Sequence, residues 1–142
     1  MAKLNFFNNK RVLITGNTGF KGSWLSMWLH ELGAEVFGYS FDLPSKRNLF
    51  EDAKLQNDIN HFWGDIRNLD KVSKLINDVK PDIIFHLAAQ AIVSESYKNP
   101  SDTFSTNVMG TCNILESLKG TQDECILVLI TSDKSYDNQE WI

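Results

Sequence analysis

Gly16, Gly19 and Gly22 recur at three-residue spacing in the segment Thr15-Gly16-Asn17-Thr18-Gly19-Phe20-Lys21-Gly22, between a β-branched run and a stretch of helical periodicity. A pyrophosphate needs this kind of segment: a tight turn, a backbone that comes close to the phosphates, and helix N–H groups with the positive end of the helix dipole facing the anion. Side chains at the glycines would obstruct all three. A turn that only needs positive φ also selects glycine, but the position between strand and helix favours dinucleotide binding. The residues expected to meet the cofactor here are Gly16, Thr18, Gly19, Phe20, Lys21 and Gly22. Lys21 reads equally as a phosphate contact or as a surface cation balancing Glu31 and other acids.

Other residues could extend the site. In dinucleotide-binding folds an acid after the second strand holds the ribose hydroxyls and disfavours a 2′-phosphate. Asp42 is the nearest candidate, and it reads equally as a solvated loop acid. Leu87-Ala88-Ala89-Gln90 ends a later strand with small residues, as a chain must where a cofactor lies against the strand's carboxyl end. Asn107 is a poor helix former in the middle of a helical stretch. Ser132, Asp133 and Lys134 directly follow the last strand, where α/β sheets place catalytic groups.

Alternating strands and helices must position these residues. Arg11 to Thr15 reads as a buried strand. In Gly22 to Leu32 the apolar residues Trp24, Leu25, Trp28, Leu29 and Leu32 recur at helical spacing, and Gly33 ends the helix. Glu35 to Tyr39 is the second strand, followed by a brief helix around Leu49 to Leu55, and His61 to Gly64 is the third strand. Asn68 is a natural N-cap for a helix carrying Leu69, Val72, Leu75, Ile76 and Val79 on one face until Pro81. Ile83 to Leu87 is strand four. Asn99-Pro100 offers an N-cap with proline at the first helical position, opening a long helix in which Phe104, Val108, Cys112, Leu115 and Leu118 share a face. Ile126 to Thr131 is strand five. The pattern predicts an α/β fold, a doubly wound parallel sheet in a single domain over residues 1–142.

Composition excludes several partner classes. A hydrophobic share of 42% and a charged share of 23% are those of an ordinary globular protein. A net charge of -4 without a Lys/Arg run leaves no footprint for nucleic acid or anionic lipid. The longest apolar runs, such as Cys125 to Ile130, are too short to span a bilayer, and the N-terminus lacks a secretory layout, so a cytoplasmic location is expected. Cys112 and Cys125 have no metal spacing and read as two buried free thiols. No metal site is expected.

The G-x-x-G-x-x-G loop resembles that of the extended short-chain dehydrogenase/reductase superfamily. Gly64-Asp65-Ile66-Arg67 resembles the superfamily's adenine-contacting segment, which implies a contact from Asp65 and Ile66, and Asn107 resembles the asparagine that supports its active-site hydrogen bonds. Ser132 matches the superfamily's active-site hydroxyl. Asp133-Lys134, together with Gly19-Phe20-Lys21-Gly22-Ser23-Trp24 and Asn107-Val108-Met109-Gly110-Thr111, is similar to the nucleotide-sugar 4,6-dehydratases that act on CDP-glucose. The resemblance implies a Rossmann-type NAD-binding domain cut short after about five strands, without a C-terminal substrate domain. It also implies CDP-glucose as the nucleotide-sugar partner and a homo-oligomer at full length. Catalytic roles would fall to Ser132, Asp133, Lys134 and Asn107, with Lys134 removing the hexose carbon-5 proton and Asp133 protonating the hydroxyl that leaves carbon 6.

Two departures qualify these implications. The superfamily's Tyr-x-x-x-Lys base motif is missing, because Tyr136 is followed four positions later by Glu140, so this chain alone is not expected to turn over substrate. Ser94 stands where the family commonly has a basic residue, and Tyr97 is the remaining substrate contact suggested in that loop.

Overall fold

The computed structural model describes residues 4–119, 124–132 and 137, so Asp133 and Lys134 lie outside the described residues. Val12, Leu13 and Ile14 have no exposed surface, as expected of a strand covered on both faces. They belong to β1 (Arg11–Thr15), the centre of a five-stranded parallel sheet completed by β2 (Glu35–Ser40), β3 (Asn60–Trp63), β4 (Ile83–His86) and β5 (Ile126–Leu129). The spatial order is β3-β2-β1-β4-β5. The chain therefore builds outward from β1 in one direction, crosses over, and continues from β4 in the other. Such a reversal opens a crevice at the carboxyl ends of the strands that flank it. Register aligns those ends: Thr15 pairs with Tyr39 on one side and with His86 on the other.

Side-chain alternation along the strands fills two layers. Leu13, Phe37 and Ile84 join Val72, Leu75, Ile76, Val79 and Ile114 on one face, while Val12, Ile14, Val36 and Ile83 join Leu29, Phe50, Leu55 and Ile59 on the other. Each of these larger side chains contributes about 1.5–3 kcal/mol by leaving water. The first layer is closed by α3 (Leu69–Val79) and α6 (Gly110–Leu118), and the second by α1 (Phe20–Glu31), α2 (Leu49–Asp52) and a 3₁₀ turn at Leu55–Asn57. Asn68 caps α3 by accepting from the Lys71 N–H at 3.0 Å, a bond worth about 1 kcal/mol. Between β4 and α6 the chain forms α4 (Val93–Lys98) and α5 (Pro100–Phe104), and a π-helical turn at Ser105–Met109 leads directly into α6. Sequence periodicity had no signal for α4.

The structure corrects several expectations about faces. Trp24 and Trp28 are 52% and 61% exposed, because α1 turns Gly22, Ser23, Ser26 and Leu29 toward the sheet. Small residues let the helix start lie close to the glycine loop, where Ser23 Oγ donates to Asn17 O at 3.0 Å and Ser26 Oγ to Gly22 O at 2.8 Å. Phe104, Val108, Cys112 and Leu115 do share a face, but it is the exposed one. The buried face of α6 is instead Gly110, Asn113, Ile114 and Ser117, with Asn113 Nδ2 donating to Ile66 O at 3.0 Å ahead of α3 and Ser117 Oγ meeting Ser73 Oγ of α3 at 2.8 Å. Close, hydrogen-bonded packing has replaced an apolar seam. Cys112 is consequently exposed and Cys125 only half-buried, so neither is the fully buried thiol expected. Asn99 occupies the N-cap position with Pro100 behind it, but its side chain makes no cap and donates to Glu95 Oε1 instead. The brief helix after β2 is split, with α2 ending at Asp52 and the 3₁₀ turn taking Leu55.

Candidate functional site

The crevice at the strand ends is a cleft of ≈ 370 Å³. It collects Gly16, Thr18, Gly19, Asp42, Asp65, Ile66, Leu87, Ala88, Ala89 and Gln90, residues that come from the ends of β1, β2, β3 and β4. Tyr39, Ser40, Phe41, Pro44, Gly64, Arg67, Asp102 and Thr106 complete its walls.

Close approach explains two of the glycines. Gly16 has φ +74, and a Cβ there would lie 2.8 Å from Ala88 N and 2.9 Å from the Leu87 carbonyl carbon. A side chain would both strain the turn and push β4 away. A Cβ on Gly22 would lie 2.2 Å from Gly16 O. Gly19 is the N-cap of α1 in extended conformation and has no side chain with which to cap it. The first-turn N–H groups of α1 therefore keep the positive end of the dipole open to an anion. Phe20 is 73% exposed at the start of α1, Lys21 is exposed beside it, and Gly22 is buried beneath the loop. None of these three lines the cleft.

Buried polar bonds fix the loop from below. Asn17, with no exposed surface, accepts from Ser40 Oγ at 2.7 Å through Oδ1, and its Nδ2 donates to His61 Nδ1 at 3.1 Å. Thr18 N–H donates to Ser40 Oγ at 3.2 Å, and Thr18 Oγ1 donates to Asp42 O at 2.7 Å. Thr18 is thus a brace between the loop and the end of β2, and its hydroxyl proton is committed to the protein. Asp42 follows β2 within the cleft wall and is exposed.

On the opposite wall, Leu87 N–H donates to Thr15 O at 3.1 Å and Ala88 N–H to Thr15 Oγ1 at 3.2 Å, drawing the small residues after β4 across β1. Asn107 sits in the π-helical turn and clamps the same segment: its Oδ1 accepts from Gln90 N–H at 2.8 Å and its Nδ2 donates to Gln90 O at 3.0 Å. A π-turn inside an α-helix commonly marks a functional position. Here it aims an amide at the backbone of the cleft floor.

The outer end of the cleft is acidic. Asp65, Asp42 and Asp102 line it against a single cation among the described lining residues, Arg67. Hydrogen bonds from the Arg67 side chain hold the Asp65 carboxyl below its ordinary value, with Nε 2.9 Å from both oxygens and Nη2 2.6 Å from Oδ2. The Asp65 oxygens face Arg67, so the carboxylate expected to meet an adenine amine is already engaged within the protein. Arg67 also pairs with Asp102 and lies 5.7 Å over the Phe41 ring. Burial, and then the nearby Asp65, push the Tyr39 hydroxyl up, and that hydroxyl donates to Asp65 O at 3.2 Å.

Ser132 lies beyond the end of β5 and is exposed; Asp133 and Lys134 lie outside the described residues. Sequence reading passed over Asn17, Ser40, Arg67 and Asp102. A polar residue inside the glycine loop was the available signal for Asn17, while Asp102 reaches Arg67 across 35 positions with nothing in either segment to announce it. Among the described residues no group of His, Cys, Asp and Glu could hold a metal ion, and no helix is long and apolar enough to cross a membrane.

Comparison with known proteins places this geometry. The GDP-mannose 4,6 dehydratase family profile matches residues 13–140. A CDP-glucose 4,6-dehydratase of Salmonella typhimurium is 50% identical over 142 residues, covering 100% of this chain and 40% of its own length. A GDP-mannose 4,6-dehydratase of Vibrio cholerae is 33% identical over 117 residues, covering 78% of this chain and 31% of its own. Among solved structures, a UDP-glucose-4-epimerase from Stenotrophomonas maltophila with bound NAD and formylated UDP-arabinopyranose superposes with a TM-score of 0.79 at 27% identity, over 94% of this chain and 40% of that one. The chain thus spans about 40% of the length of the first of these relatives. Because the family match begins within β1 and runs through the glycine loop, both walls of the cleft and the segment after β5, the chain belongs to the GDP-mannose 4,6 dehydratase family.

Proposed function

We propose that this chain is the NAD-binding portion of a nucleotide-sugar 4,6-dehydratase that converts CDP-glucose to CDP-4-keto-6-deoxyglucose. The observation that carries the substrate is the 50% identity to a CDP-glucose 4,6-dehydratase along the whole chain. The residues present fit a dinucleotide: Gly16 and Gly22 allow the loop to pack its backbone directly on the Leu87-Ala88 segment and on itself, α1 offers its N-terminus to a pyrophosphate, and the acidic outer end is unsuited to a 2′-phosphate.

When bound, NAD supplies a reversible hydride acceptor for hexose carbon 4 and a hydride donor for carbon 6. The chain's own residues bind and orient it. The loop N–H groups take the pyrophosphate, Asp42 the ribose hydroxyls, and the Ala88-Ala89 backbone the face beside β4. Asn107 holds Gln90 so that this floor stays level. Lys134 removes the carbon-5 proton and Asp133 gives a proton to the hydroxyl leaving carbon 6, so that the elements of water depart. That assignment requires a neutral Lys134 and a protonated Asp133, which desolvation favours for each.

Calorimetric titration of the 142-residue chain with NAD and NADP, beside a Gly19→Val variant, tests the binding claim. Gly19 lines the cleft with φ -68, a backbone conformation open to valine, whose Cβ would press on Gly16 O at 3.2 Å and narrow the phosphate end. NAD binding that the variant loses is the expected result; absence of NAD binding by the unaltered chain sinks the reading. Product analysis after supplying CDP-glucose to a form as long as the relatives separates dehydration, which gives a 4-keto-6-deoxy sugar, from epimerisation.

A further inference from the structure

We propose that His86 is a positioning residue: through Thr15 on one side and Thr111 on the other, its ring fixes the Asn107 turn against Gln90 and thereby sets the shape of the cleft floor. The ring is 4% exposed at the end of β4. Its Nδ1 lies 2.7 Å from Thr15 Oγ1 and its Nε2 lies 3.1 Å from Thr111 Oγ1.

Every proton along this chain of bonds is assigned by its neighbours. Thr111 Oγ1 spends its one proton on the Asn107 carbonyl at 2.8 Å, so it accepts from His86 Nε2. Nδ1 of the neutral ring then accepts from Thr15 Oγ1, which itself accepts from Ala88 N–H at 3.2 Å. Burial supports this state by lowering the His86 pKa to about 4. Both ends of the chain are backbone groups, the Ala88 amide and the Asn107 carbonyl, which do not pass protons on. The arrangement therefore holds geometry and does not relay charge.

What it holds is the weakest part of the helix. In the π-turn the Gly110 N–H reaches back to Ser105 O, a wider loop than α-helical pairing. Thr111 Oγ1 engages the carbonyl of Asn107, the residue whose side chain clamps Gln90 through two further bonds. The path from β1 through His86 to Gln90 thus runs along consecutive hydrogen bonds, with β1 and the start of α6 tied to the two nitrogens of one ring on β4.

The effect of this strut on cofactor affinity rests on the NAD reading above; its effect on the floor does not. The test uses the full chain labelled with ¹⁵N. In the unaltered, ligand-free protein near neutral pH, His86 Nδ1 should resonate as an unprotonated nitrogen and Nε2 as a protonated one. Thr111→Val, an isosteric change at a half-buried site, should move the Gln90 amide resonance and speed its hydrogen exchange, and Thr111→Ser should restore both. NAD titration should show about tenfold weaker binding for Thr111→Val and recovery for Thr111→Ser, the loss expected of one buried hydrogen bond. A proton on Nδ1, or a Gln90 amide unmoved by Thr111→Val, overturns the proposal. If Thr111→Val does not fold, the ring nitrogens of the unaltered protein decide. If the unaltered protein ignores NAD, the functional reading fails while the ligand-free Gln90 signal still tests the strut. NAD affinity unchanged in a folded Thr111→Val overturns its link to the cleft.

Discussion

Two histidines flank the glycine loop from opposite sides of β1, and they are built into the protein in different ways. His86 on β4 has both ring nitrogens partnered by hydroxyls and joins three elements. His61 on β3 offers Nδ1 to Asn17, but its buried Nε2 has no partner among the described residues. Instead the ring sits 4.9 Å from Phe50 and 4.3 Å from Trp63, edge on to the latter. Burial lowers the pKa of both rings. The difference follows from place in the sheet. A central strand is enclosed by backbone and hydroxyl groups, whereas β3 is an edge strand that can enclose a ring only with other rings. One flank of the loop is therefore specified by directed bonds and the other by packing.

The largest disruption should come from the loop both flanks support. Gly22→Ala places a Cβ 2.2 Å from Gly16 O and 2.7 Å from Asn17 Cα, both backbone, so nothing can rotate aside. We expect a loss on the order of 3 kcal/mol, read as a fall in the urea midpoint. A midpoint within error of the unaltered chain would show that loop and helix can separate without cost. The two histidines should then differ. His86→Leu leaves the buried Thr15 hydroxyl without an acceptor and the half-buried Thr111 hydroxyl without its donor, and should cost about 3 kcal/mol, whereas His61→Leu strands only the Asn17 amide while removing an unpartnered N–H, and should cost about 1 kcal/mol. Equal losses in chemical denaturation would erase the contrast between bonded and packed flanks.

Acid should expose the same contrast. His86 has a folded-state value of about 4 against 6.5 for the free side chain. The unfolded chain therefore binds the proton first as pH falls. The stability carried by the neutral ring is complete above 6.5 and is lost as pH drops toward 4. At 1.36 kcal/mol per pKa unit the loss approaches about 3 kcal/mol. Urea midpoints at about pH 7 and about pH 5 should diverge for the unaltered chain, and most of that gap should close for His86→Gln. His61 shifts in the same direction through burial, so His61→Gln should narrow the gap as well.

The sequence made strand positions legible because parallel strands covered on both faces must be apolar throughout, and Val12 to Ile14 and Ile83 to Phe85 are. The glycine loop was legible because few other demands put three glycines between a strand and a helix. Helix faces were not. Trp24 and Trp28, or Phe104, Val108 and Leu115, look like buried stripes, yet α1 and α6 approach their neighbours through glycine, serine and asparagine. Close approach rewards small residues, and hydropathy gives them little weight. The polar network was hidden for another reason. Thr15, His86 and Thr111 lie up to 96 positions apart, and only the strand register and the π-turn bring them into line. The pair Asp133-Lys134 was read from its resemblance and lies outside the described residues.

The smallest expected effect concerns the acidic end of the cleft, where bonding and packing meet. Arg67 stacks over Phe41 and divides its guanidinium between Asp65 and Asp102. Asp102 is 53% exposed, so its pair with Arg67 is worth under about 1 kcal/mol, and Asp102→Asn should scarcely move stability. Its influence on ligand choice should be easier to see. With Asp102 neutral, the described charges lining the cleft fall from three acids and one base to two acids and one base, and part of Arg67 is released toward the ribose end. A 2′-phosphate then meets less repulsion and a freer cation. The ratio of NADP to NAD dissociation constants should fall about threefold, with NAD affinity itself little changed, since exposed charges act weakly through solvent. Titration at low and high salt checks the cause: screening should shrink the difference between variant and unaltered chain. A ratio that salt leaves untouched would assign the selectivity to shape, and would extend the packed character of the β3 flank to the mouth of the cleft.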